Sequence, residues 1–116
     1  MAANFNITIK QGADFVLAAE WQDSDLNPID ITGFSIRMQA RVHVAAPGTF
    51  LDMNTGNGQI VITDAAAGKF ELRLTNVETA AMGLLSGVYD LEIVSPSGTV
   101  DRVLEGSIAV SPEVTR

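Results

Sequence analysis

Three groups of residues have types and spacings that chemistry could use. Asp23-x-Asp25-x-Asn27, followed by Asp30, opens like a calcium-binding loop, where alternate side-chain oxygens converge on one cation. Such a loop needs glycine at its sixth position to turn and a bidentate glutamate at its twelfth. Those positions hold Pro28 and Phe34, so the motif fails and an acidic hairpin loop is expected. The second group is His43, the only histidine, beside Arg41. A nucleophilic triad would need it to meet a serine and an aspartate, and no nucleophile-elbow sequence is present. Paired glycosidase carboxylates leave no local signature, but one tyrosine and one tryptophan give a small domain little to line a sugar cleft. The third group is the stripe Arg37, Gln39, Arg41, His43, which gathers two of five arginines in an otherwise acidic chain. It reads either as a solvated outer face or as a docking surface for an acidic partner or a neighbouring copy. No catalytic, metal or cofactor site is expected.

The segments that position these groups have a dominant period of two, the signature of strands with one buried face. From Phe34 to Val44 one face reads Phe34, Ile36, Met38, Ala40, Val42, Val44, and the other Ser35, Arg37, Gln39, Arg41, His43. At 100° per residue these positions would scatter around a helix. Similar alternation places strands at Phe5–Ile9, Phe15–Gln22, Ile60–Asp64, Lys69–Leu74 and Gly87–Ser95, with a short segment at Phe50-Leu51. The last strand runs from Thr99 to Val110, and its phase shift at Val103-Leu104 predicts a bulge. Asn-Pro at 27–28 and Ser95-Pro96-Ser97-Gly98 are turn signals. Thr75-Asn76-Val77-Glu78 fits a capping box, predicting one short helix near 76–83.

About seven strands spaced eight to twelve residues apart predict an all-β, antiparallel immunoglobulin-like sandwich, one domain over residues 1–116, with an up-and-down barrel as the competitor. Gly87-Val88-Tyr89-Asp90-Leu91 looks like the tyrosine corner of immunoglobulin-like domains, or is simply a half-buried strand tyrosine.

Composition narrows the function classes. Without cysteine there are no disulfides, thiolate zinc sites or cysteine nucleophiles. A net charge of −7 argues against nucleic acid or an anionic membrane as the main partner. The 47% apolar fraction, with 18% charged, is that of a chain able to build a core. Neither a secretory signal nor a membrane-length apolar run is visible, so synthesis in a cytoplasm as a soluble protein is expected.

The chain as a whole resembles small structural proteins encoded near the tail-fibre and baseplate genes of tailed phages and prophages. Three stretches carry the resemblance: Ile9–Phe15 (IKQGADF), Asn27–Gln39 (NPIDITGFSIRMQ), and Tyr89–Ile93 continuing through Ser97–Val100, Leu104–Gly106 and Val110–Arg116. Related immunoglobulin-like modules, like the N-terminal domain of baseplate upper proteins, anchor receptor-binding parts. The resemblance implies a non-enzymatic virion protein, assembled in the host cytoplasm, whose partners are other tail, baseplate or fibre components or further copies of itself. A carbohydrate-binding or adhesion module and a capsid decoration protein are the alternatives. On this reading the terminal segment from Gly106 to Arg116 is expected to act as an edge strand. Ile108 and Val110, then Glu113, Val114 and Arg116 beyond Pro112, join the arginine stripe as candidate contact residues.

Overall fold

The computed structural model describes residues 3–83 and 86–114. Among the described residues, alternating segments build nine strands: β1 (Ala3–Asn4), β2 (Ile7–Lys10), β3 (Phe15–Glu20), β4 (Ser35–Arg41), β5 (Leu51–Asn54), β6 (Ile60–Asp64), β7 (Lys69–Leu74), β8 (Ser86–Val94) and β9 (Val100–Ser111). They form two sheets facing one core. The larger runs β1-β9-β8-β4-β5, with β2 also paired to β9, and the smaller runs β3-β7-β6. Ile36, Met38 and Ala40 of β4 and Leu91 and Ile93 of β8 pack with Phe70, Leu72 and Leu74 of β7 between the sheets. The sandwich expected from the period-two pattern is therefore present, and all pairings are antiparallel except those of β1 and β2 with β9.

The break between β1 and β2 has a local cause. Both strands keep one register on β9, Asn4 opposite Glu105 and Ile7 opposite Ile108; the Phe5 N–H still donates to the Glu105 carbonyl at 2.9 Å, but the Phe5 carbonyl and Asn6 leave the ladder. The Phe5 carbonyl turns inward to accept the Tyr89 hydroxyl. Asn6 Oδ1 takes over as acceptor for the Ser107 N–H at 3.1 Å. Phe5, read from the alternation as an inner-face residue, is consequently 45% exposed.

The helix α1 (Asn76–Ala80) starts as its sequence dictates. Thr75 accepts from the Glu78 N–H, and Glu78 accepts from the Thr75 N–H, completing the capping box. Asp14 Oδ1 accepts from the Asn76 N–H at 2.7 Å, a carboxylate on the positive end of the helix. Thr79, wholly buried, accepts from the Gly12 N–H and donates to the Ala13 carbonyl, tying α1 to the β2–β3 turn. Replacing Thr75 with alanine is expected to cost about 1 kcal/mol, lowering Tm by roughly 4–8 °C. The cap also has a pH signature. Hydrogen bonds from the Thr75 N–H and then Gln59 hold the Glu78 carboxyl below its ordinary 4.5. A lowered folded value means that this contribution is present above the unfolded pKa and lost as pH falls through the folded one. Glu78→Gln should therefore lower Tm at pH 7 and narrow the gap in Tm between pH 7 and pH 3.

The bulge predicted on the last strand is observed. Leu91 pairs with Leu104 and Glu92 with Arg102, leaving Val103 as the extra residue. Two expectations need correction. The long alternating strand ends at Arg41, not Val44, and Val42 and Val44 are 50% and 85% exposed. There the Arg41 carbonyl lies against Gly87, where a Cβ would come within 2.0 Å of it, and the chain turns through an Ala46 N–H to His43 carbonyl bond. Tyr89 departs from the expected tyrosine corner in that its hydroxyl donates across to the Phe5 carbonyl, between β1 and β2.

Candidate functional site

The sequence-predicted residues divide into those the fold exposes together and those it buries. Arg37, Gln39 and Arg41 do share the outer face of β4. His43 does not, since it lies exposed beyond the end of the strand. Ile108 and Val110, expected to offer a contact edge, are 1% and 7% exposed and belong to the interior. Their part of the strand has no free edge: β8 covers one side of β9, and β1 and β2 cover the other at Leu104–Glu105 and Ile108–Ser111. Glu113 is half-buried, its N–H donating to Gln11 Oε1 at 3.1 Å and its carboxylate lying over Gly12. Val114 is 91% exposed, and Arg116 lies outside the described residues.

The arginine stripe is no free run of positive charge. Arg37 donates through Nε and Nη2 to Glu92 Oε1, both at 2.8 Å, from the directly opposite position on β8. Arg102 of β9 approaches Asp90 of β8 at 3.6 Å. Arg41 donates to two neutral acceptors, the Ala46 carbonyl at 3.0 Å and Gln39 Oε1 at 3.2 Å. The stripe is one column of a mixed-charge sheet face.

That face is concave. Arg41, Val88 and Ser107 lie in one row across β4, β8 and β9, and the short Val88 and Ser107 side chains lie lower than the long ones around them. The hollow above them has a volume of about 490 Å³, with Gln39, Arg41, Arg102, Glu105, Asn4 and Asn6 among its walls. Asp90 and Glu105 face each other across β8 and β9, so carboxylates line one side of the hollow and Arg41 another. Strand register brings Asn4, Asp90, Arg102, Glu105 and Ser107 into this site, and the bond from the Ser107 N–H holds Asn6 beside them. Arg102 reaches this face from before the bulge at Val103 and Glu105 and Ser107 from after it, since the extra residue inverts the parity of those that follow.

Elsewhere the polar groups serve the fold. Asp23 Oδ1 accepts from the N–H groups of Asp25 and Asn27, both at 2.9 Å, so the acidic loop closes on its own backbone. Among the described residues no three His, Asp or Glu side chains are grouped to hold a metal ion, and no helix is long and apolar enough to cross a membrane. Burial pushes the Tyr89 phenol up to about 12. Hydrogen bonds from Thr32 lower the Asp30 carboxyl. These shifts, like that of Glu78, move away from neutrality, the wrong direction for acid–base work at pH 7. Tyr89 is 4% exposed and offers no platform for a sugar ring, while half-buried Trp21 packs edge-to-face on Phe34, ring centres 6.3 Å apart.

No protein-family model matches the chain, and no curated protein matches it by sequence. Among solved structures it is similar to the immunoglobulin-like domain of mouse leukocyte-associated immunoglobulin-like receptor 1, in the form of a strand-swapped dimer. The TM-score is 0.50 at 13% identity, over 91% of this chain and 88% of that one. The likeness shows an immunoglobulin-like sandwich and speaks to the fold alone.

Proposed function

We propose that this chain is a non-enzymatic structural or adaptor protein of the tail region of a tailed-phage particle, working through protein–protein contacts made by the concave face of its large sheet. One observation carries the reading. Arg37 and Gln39 come from the second of the stretches that resemble phage tail-region proteins, and Asp90, Glu92 and Glu105 from the third, and all five meet on this one face. Paired charges on a hydrated sheet face suit orientation and association rate more than raw affinity. The rigid sandwich supports them on strands rather than loops.

Two measurements test it. Antibody labelling of purified particles from the encoding phage should decorate the tail, and particles that lack the protein would overturn the proposal. Within that assembly, reversing Arg41 and Arg102 together to Glu should lower incorporation roughly tenfold, the equivalent of about 1.4 kcal/mol, without changing Tm by more than a few degrees. Wild-type incorporation by the reversed variant would move the contact off this face.

A further inference from the structure

We infer that the free edge of β3 is a self-pairing edge, on which a second copy of this chain docks antiparallel to extend the small sheet. This goes beyond the proposed function and does not depend on it.

The edges of the two sheets are not equally protected. β5 has four residues, β6 has a register irregularity between Ile62 and Asp64, and the β1–β2 edge is broken at Phe5–Asn6. Short strands, bulges and breaks of this kind deter pairing. β3 has none of these features. Its six residues, FVLAAE, contain no proline, glycine or bulge, and among the described residues it pairs with β7 alone. The Trp21 N–H to Gly68 carbonyl bond sets the parity of that pairing. Phe15, Leu17 and Ala19 therefore bond to β7, while Val16, Ala18 and Glu20 direct their N–H and C=O groups at the open edge. The same three side chains lie on the outer, exposed face, Val16 at 60%.

Charge selects the occupant. In a two-fold pair centred on Ala18, Val16 of one copy stands opposite Glu20 of the other, and every outward residue finds a hydrogen-bonded partner. On β7, Arg73 lies beside Val16 and Lys69 beside Glu20. The joined face then reads Arg73, Val16, Glu20, Lys69 across the junction, and the same in reverse on the other side of the axis. Each Glu20 sits between its own Lys69 and the Arg73 of the other copy, which is held through Nε and Nη2 to its own Glu71 Oε1 at 2.9 and 2.7 Å and keeps Nη1 to reach over Val16. The like charges on the axis row, Glu71 and Glu71, are three strand spacings apart. That is about 14 Å, beyond the screening length of about 8 Å at physiological salt.

Light scattering on the purified chain should show a concentration-dependent species of twice the 12.3 kDa chain mass. As concentration rises, amide exchange should slow at residues 16, 18 and 20. Ala18→Lys puts like charges opposite each other on the axis and leaves the β7 pairing intact, so the variant should keep its Tm and dimerise at least tenfold more weakly. Mixing it with Ala18→Glu should restore the dimer. A chain monomeric up to its solubility limit, or a dimer indifferent to Ala18→Lys, overturns the inference. Slowed exchange at these amides only when a different virion protein is added also overturns it, in favour of a foreign strand. A monomeric chain that still decorates phage tails overturns this inference and leaves the proposed function standing.

Discussion

Gly106→Ala is expected to destabilise the fold by about 2–5 kcal/mol, combining overpacking with the loss of a buried hydrogen bond. A Cβ at this position would lie 2.4 Å from the Phe5 carbonyl oxygen and 3.0 Å from Asn6 Oδ1. Those two oxygens hold the N-terminal strand at its break, one accepting from Tyr89 and the other from Ser107. Backbone has to move, and it takes both hydrogen bonds with it. Tyr89→Phe is the milder companion, leaving the Phe5 carbonyl without its donor for about 1–3 kcal/mol. Because both changes act on one carbonyl, the double variant should cost less than the sum of the single ones. Urea titrations of the four proteins make the comparison. A Gly106→Ala variant no less stable than Tyr89→Phe would show that the strand break is not built on this contact.

Leu91→Ala is the second large effect, expected at about 2–5 kcal/mol. Leu91 has no exposed surface and lies in register with Met38 on one side and Leu104 on the other. Hydrogen-bonded strands on both sides prevent the backbone from collapsing into the space a truncated side chain leaves. Leu91→Met keeps most of the volume and should cost less than about 1.5 kcal/mol. The urea midpoint should drop with an unchanged slope, since only native-state packing is altered. A loss below about 1 kcal/mol in the alanine variant would mean that neighbouring side chains refill the site.

The candidate site divides along a physical line. Arg37, Gln39 and Arg41 were legible as one face because alternation within a strand is a local property. Their charge state was not, since Glu92 is 55 residues away and meets Arg37 only through the β4–β8 register. Ile108 and Val110 were misjudged for the same reason. Two apolar residues near a terminus look like an open edge until β2 is seen lying parallel to β9, Ile7 beside Ile108 and Ile9 beside Val110.

What the sequence by itself determined is everything set by neighbours within a few residues. Period-two alternation produced the strands, Thr75 and Glu78 the helix cap, Ser95 to Gly98 the turn, and the phase slip at Val103 the bulge. These features arise from backbone geometry and short-range hydrogen bonds, which a chain carries wherever it is placed. The tertiary structure alone decided which edges stay open, which charges are neutralised and where Tyr89 finds its acceptor. Each of those depends on the order and register of strands distant in sequence, β1 and β2 joining β9 rather than β3. That single choice covers the C-terminal strand at Ile108 and Val110, breaks the N-terminal one at Phe5, and leaves β3 paired with β7 alone among the described residues, because a strand has only two edges and β1 and β2 spend theirs on β9.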